Sequence, residues 1–137
     1  MTRTIIDSGP LVAFYDRKDQ WHNWAQEQMG ALQPPLTTTE PVLTEACFLL
    51  QRGTGNPGVI LRAVQRGILQ IAFDVETEAA ALETLMNRYA NVPMSLADAS
   101  LVRLSELHRD SRVFTLDRDF RQYRRHGRQV IPLIAPW

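Results

Sequence analysis

One domain of ordinary size is what 137 residues provide, and a hydrophobic share of 45% is enough to bury its core. No run approaches the length of a membrane span, no basic and apolar signal precedes the first strand, and the single cysteine, Cys47, excludes an internal disulfide; a cytoplasmic location is expected. Formal charge is zero, yet Lys18 is the only lysine among fifteen basic residues, and arginine favours bidentate pairing with anions.

Taken in chain order, Thr4-Ile5-Ile6 reads as a short strand with no alternation, as expected when both faces are covered. Asp7-Ser8-Gly9-Pro10 breaks it, and Pro10 at a first helical position opens a helix over Leu11 to Tyr15. A second helix runs from about Gln20 to Leu32 and stops before Pro34-Pro35, followed by the very short strand Leu36-Thr37-Thr38. From Glu40, the recurrence of Val42, Ala46, Leu49 and Leu50 predicts a helix whose buried side includes Glu45. Cys47 reads as a small core hydrophobe within it. The turn cluster from Gly53 to Gly58 leads to a helix over Val59 to Val64 and a strand over Leu69 to Phe73. Helices over Glu76 to Tyr89 and Ser95 to His108 precede strands at Val113 to Leu116 and Val130 to Leu133, with Pro132 best tolerated at an edge. Strands separated by helices predict parallel crossovers in an α/β sandwich forming a single domain over residues 1–137.

Acidic residues stand where strand-like runs hand over to helices: Asp7, Glu45, Asp98, and the pair Asp117 and Asp119. In an open α/β sheet the carboxyl ends of the strands converge on one crevice, so these groups are expected to meet. Taken singly, most have an ordinary explanation: Asp7 and Asp117 as N-caps, and Ser95 with Asp98 as a capping box. Glu45 has no cap to make and is costly to bury unpaired. Crowded carboxylates raise one another's pKa unless a cation neutralises them, and oxygen-only donors select Mg²⁺ or Mn²⁺ over zinc. Such an ion activates water and stabilises charge at phosphorus, so phosphodiester hydrolysis is the chemistry implied. Thr115 is placed to hydrogen-bond a metal-bound water and Ser8 to support Asp7, each with a cap or turn role as the alternative.

Beside the last acids lie Arg118, Arg121, Arg124, Arg125 and Arg128, a basic rim suited to holding RNA or an acidic protein partner, or a solvated helix face. His22 and His108 read as structural. Trp21 and Trp24, three apart, fit core packing or a dimer surface better than base stacking.

Four stretches in order carry a resemblance: Ile5-Ile6-Asp7-Ser8-Gly9-Pro10-Leu11, Pro41-Val42-Leu43-Thr44-Glu45-Ala46, Ser95-Leu96-Ala97-Asp98-Ala99-Ser100-Leu101 and Phe114-Thr115-Leu116-Asp117-Arg118-Asp119-Phe120. Together they resemble the PIN-domain ribonucleases, most closely the VapC-type toxins of toxin-antitoxin modules. That resemblance implies a three-layer sandwich with a five-stranded parallel sheet, Mg²⁺- or Mn²⁺-dependent cleavage of RNA, homodimers, and inhibition by an antitoxin that places an arginine in the acidic pocket. It puts catalytic roles on Asp7, Glu45, Asp98 and Asp117, and metal ligation on Asp7, Asp98 and Asp117, with Asp119 a near second. A phosphoryl-receiver domain needs a lysine near its acceptor, where this chain has none, and a toprim-like nuclease needs a glutamate where Asp7 stands. A PIN nuclease that processes RNA without an antitoxin, or a non-catalytic RNA- or protein-binding module, is the alternative.

Overall fold

The computed structural model describes residues 2–137. Strands β1 (Arg3–Ile6), β2 (Leu36–Thr38), β3 (Leu69–Ile71), β4 (Ser111–Phe114) and β7 (Leu133–Ile134) form one sheet in the order β3-β2-β1-β4-β7. All four pairings are parallel, with Ile5 opposite both Thr37 and Val113, and Phe114 opposite Ile134. Such strands cannot be joined by tight turns, and three of the crossovers are supplied by α1 (Ser8–Tyr15), α2 (His22–Ala31), α3 (Glu40–Arg52), α4 (Gly58–Gln65), α5 (Val75–Arg88) and α6 (Leu96–Leu107), while β4 reaches β7 through a short 3₁₀ turn (Arg118–Arg121) and a hairpin. The α/β architecture with a five-stranded parallel sheet flanked by helices is therefore as expected.

Because β2 and β3 lie to one side of β1 and β4 and β7 to the other, the sheet reverses its winding at β1. A crevice opens at the carboxyl ends of β1 and β4 for that reason. The core beneath it is apolar: Ile5, Ile6, Val113 and Phe114 are fully buried, and Trp24 of α2 packs edge-on against Phe114 with ring centroids 5.5 Å apart. His22 has a structural role, its Nδ1 lying 2.7 Å from the Ala13 carbonyl oxygen.

Several boundaries differ from the expectation. Helix α1 begins at Ser8, not after Pro10, because Asp7 caps it by accepting the Ser8 N–H at 2.7 Å. Leu49 faces solvent, and Cys47 is half-buried near the Pro57 carbonyl. The fifth sheet strand is Leu133–Ile134, not the run from Val130. His126 and Gly127 adopt φ of 51° and 77°, reversing the chain so that β5 (Arg124–Arg125) pairs antiparallel with β6 (Gln129–Val130), which leaves Val130 67% exposed. Pro132 sits before the edge strand, where its carbonyl accepts the Val113 N–H at 2.9 Å and its missing N–H is not needed.

Candidate active site

Asp7, Glu45, Asp98, Asp117 and Asp119 line a single cavity of about 440 Å³ together with Ser8, Gly9, Pro93, Ser95 and Leu116. No basic side chain lines it. Four separate pieces of chain bring the acids there, held by bonds both local and long-range.

Asp7 follows β1 directly, with its backbone N–H still in the ladder to the Phe114 carbonyl at 2.9 Å. Its Oδ1 accepts the Ser8 N–H, while its Oδ2 accepts the Thr115 hydroxyl at 2.7 Å. The residue is only 4% exposed, and burial, against those two bonds and with repulsion from Asp98 and Glu45, pushes its pKa up to about 7. Thr115 also accepts the Asp117 N–H at 2.9 Å. Its hydroxyl therefore joins the first acid to the loop bearing the last two.

Glu45 is half-buried on α3, and the Ser8 hydroxyl donates to its Oε1. Ser8 thus supports Asp7 through its backbone only, and Glu45 through its side chain. Helix α3 is set against α6 by a buried hydroxyl pair, Thr39 Oγ1 and Ser100 Oγ at 2.8 Å, which fixes the spacing between the helices carrying Glu45 and Asp98.

Asp98 makes the expected capping box, accepting the Ser95 N–H at 3.3 Å while Ser95 accepts its N–H at 3.0 Å. Cap and site coexist in one residue. A partner unforeseen from the sequence is Tyr123, fully buried, whose hydroxyl donates to Asp98 Oδ2 at 3.1 Å. Burial and the nearby Asp117 raise the Asp98 pKa. Asp117 caps the short 3₁₀ turn Arg118–Arg121 by accepting the Asp119 N–H at 2.9 Å. Burial and Asp117 likewise raise the pKa of Asp119.

The arginines divide. Arg118, Arg121 and Arg128 are exposed. Arg124 is half-buried and spends its Nη1 on the Arg121 and Tyr123 carbonyls at 2.7 and 3.0 Å. Arg125 is 6% exposed and bonds the Arg109 carbonyl at 3.0 Å and the Ser111 hydroxyl at 2.7 Å, so it is not a surface contact for RNA or an antitoxin. Its place opposite Gln129 turns it under the hairpin, a tertiary fact that an arginine-rich run does not reveal.

A donor set made only of carboxylate and hydroxyl oxygens fits a hard divalent cation. Among the described residues no trio of His, Cys, Asp and Glu forms a ready-made ion cage. The cavity accordingly suits a hydrated ion such as Mg²⁺, which takes one or two carboxylates and retains waters, better than a closed all-protein site.

A family model described as the PIN domain matches residues 4–126. Ribonuclease VapC26 of Mycobacterium tuberculosis (strain ATCC 25618 / H37Rv) is 25% identical over 116 residues, spanning 83% of this chain and 86% of that protein. The crystal structure of Mycobacterium tuberculosis VapC20, a sarcin-ricin loop cleaving toxin, superposes with a TM-score of 0.71 at 22% identity, covering 85% of this chain and 91% of that one. At that identity the likeness speaks for the fold.

Proposed function

The chain belongs to the PIN-domain family, and on that premise we propose that it is a metal-dependent endoribonuclease, the toxin of a toxin-antitoxin pair. What carries this reading is the cavity at the strand ends, lined by Asp7, Glu45, Asp98, Asp117 and Asp119 with no basic residue among them. A nucleophile of the Ser-His or Cys-His kind has no counterpart in that lining.

In this reading Asp7, Asp98 and Asp117 hold Mg²⁺ or Mn²⁺, with Asp119 as the further ligand beside Asp117. When bound, the cation supplies charge stabilisation at the phosphodiester and a more acidic water. Around it the chain provides positioning: Thr115 and the Ser8 N–H orient the two oxygens of Asp7, Ser8 orients Glu45, and Tyr123 holds one oxygen of Asp98. Glu45 projects from α3 and lines the same cavity, where it can accept a proton from the attacking water.

An antitoxin partner fits the surroundings as well. A second cavity of about 810 Å³ shares Glu45 and Ser95 with the first and is lined by the exposed side chains of Phe48 and Leu96. It offers apolar anchorage next to carboxylates that an inserted arginine would satisfy. A small reading frame beside the gene encoding such a segment would separate a toxin from an RNA-processing nuclease.

The direct test is cleavage of RNA by purified protein with residual host nuclease excluded. Activity is expected with Mg²⁺ or Mn²⁺, to vanish in EDTA, and to be lost in Asp7→Asn and Asp98→Asn. Robust cleavage by either variant would sink the mechanism.

A further inference from the structure

Arg118 and Arg121 stand exposed on the short turn that also carries Asp119, and neither forms a salt bridge among the described residues. Their guanidinium carbons lie instead 5.4 and 5.7 Å from the centroid of the Trp137 ring. Trp137 reaches them because β7 pairs with β4 at the sheet edge, and the Thr115 N–H donates to the Ile134 carbonyl at 3.1 Å. Residues 135–137 therefore leave the sheet at the end where Asp7 and Asp117 line the acid cavity.

Two cations gathered on one aromatic ring, with no ion pair to a carboxylate among the described residues, suit an anionic ligand. Arginine stacked on an aromatic face retains its N–H edge for bidentate pairing with phosphate. A half-buried indole next to such edges also suits an unpaired base, since every base has a π-face. We propose that Trp137, Arg118 and Arg121 form a docking surface for single-stranded RNA beside the acid cavity, taking a base and the phosphates that flank the scissile bond. This rests on the ribonuclease reading of the cavity. An acidic protein segment is disfavoured, because it makes no use of the ring.

The experiment compares wild type with Trp137→Ala, Trp137→Phe and Arg118→Gln/Arg121→Gln. Binding of a fluorescent single-stranded RNA is measured in EDTA across a salt titration, and cleavage kinetics are measured in Mg²⁺. Trp137→Ala is expected to weaken RNA binding about tenfold, with the loss appearing in KM more than in kcat, and Trp137→Phe to recover most of it. The double arginine variant is expected to lower the salt slope by roughly 1.4, the value for two phosphate contacts on a single strand. Thermal melts show whether each variant is folded at the assay temperature.

Unchanged RNA affinity, KM and salt slope in folded variants overturn the proposal, as does a wild type that cleaves RNA without binding it measurably through these residues. Variants that keep RNA affinity but lose binding to a poly-glutamate probe assign the surface to an acidic protein partner and overturn it too. A wild type that cleaves no RNA under any metal sinks the ribonuclease reading itself, whereas a cleaving wild type with unaltered variants sinks this surface alone.

Discussion

Tyr123 shows how a single hydroxyl bears on the whole site. It is fully buried among Phe120 and Tyr89, with ring centroids 5.0 Å away in each case, and its one polar atom meets Asp98. Fixing one carboxylate oxygen leaves the other free for an ion, and outer partners of metal ligands typically account for about 10–100-fold in affinity or activity. Tyr123→Phe is therefore expected to lower both Mn²⁺ affinity and cleavage about tenfold or more. Tyr89→Phe, which removes a hydroxyl from the same aromatic cluster where it accepts only the Arg124 N–H, should leave Mn²⁺ affinity unchanged. Matching metal affinities for wild type and Tyr123→Phe would show that the hydroxyl serves only packing. Of the five acids, Asp7, Asp117 and Asp119 could be read from the sequence because they follow apolar strand runs, and Glu45 because it falls on an apolar helix face, whereas Asp98 stands where α5 hands over to α6 and was legible through its Ser95 capping box. Tyr123 could not, since tyrosine in an arginine-rich run carries no local signal of the carboxylate that folding brings to it. Thr115 and Ser8 were legible as candidates, but which acid each serves depends on the bend after β4 and on the seat of α3.

Among the elements, the β5–β6 hairpin carries the clearest divergence between chain and fold. Parallel strands, their order of appearance and the helical crossovers follow from apolar runs and turn residues. The hairpin instead depends on the positive φ of His126 and on Arg125 passing beneath it, neither of which hydrophobic patterning records. Long-range bonds tie it down: the Arg124 N–H to the Tyr89 hydroxyl at 3.0 Å, Arg125 to the Arg109 carbonyl and to the carbonyl and hydroxyl of Ser111, and the His126 N–H to Glu106 at 2.7 Å. Glu106 is itself held by Arg103, whose Nη1 lies 3.1 Å away while its Nε meets Glu78 at 2.6 Å. Removing the buried guanidinium strands backbone carbonyls, each such bond to a charged group being worth about 1.5–3 kcal/mol. Arg125→Gln is thus expected to cost about 2–4 kcal/mol, read as a lower urea midpoint with an unchanged slope. Arg128→Gln on the exposed turn should stay within about 0.5 kcal/mol. Equal midpoints for the two variants would return Arg125 to the surface and to the ligand-binding rim.

For the molecule as a whole, the acid cavity is a source of instability that a bound cation would remove. Burial, chiefly, and repulsion from Asp98 and Glu45 hold the Asp7 pKa at about 7 in the folded chain, whereas an aspartate in the unfolded chain titrates at about 3.9. Between those values the folded state binds more protons than the unfolded state, so stability falls as pH rises. The contribution of this proton is complete below about pH 4 and is lost as pH passes 7; it amounts to several kcal/mol. Asp98 and Asp119, also raised, act in the same direction. Metal-free protein is therefore expected to melt at a lower temperature at pH 8 than at pH 5. Asp7→Asn, which has no such charge to bury, should melt above wild type in EDTA, with the gap widest at pH 8. Adding Mg²⁺ or Mn²⁺ at about a hundred times its Kd should restore about 2.7 kcal/mol to wild type at pH 8 and little to the variant. The same carboxylates that make RNA hydrolysis possible would then be what limits the empty fold, a trade between stability and activity that melts at two pH values, with and without EDTA, can measure directly. Melting temperatures of wild type that ignore both pH and metal, or an Asp7→Asn protein less stable than wild type at pH 8, would mean that Asp7 is neither strained by burial nor relieved by a cation.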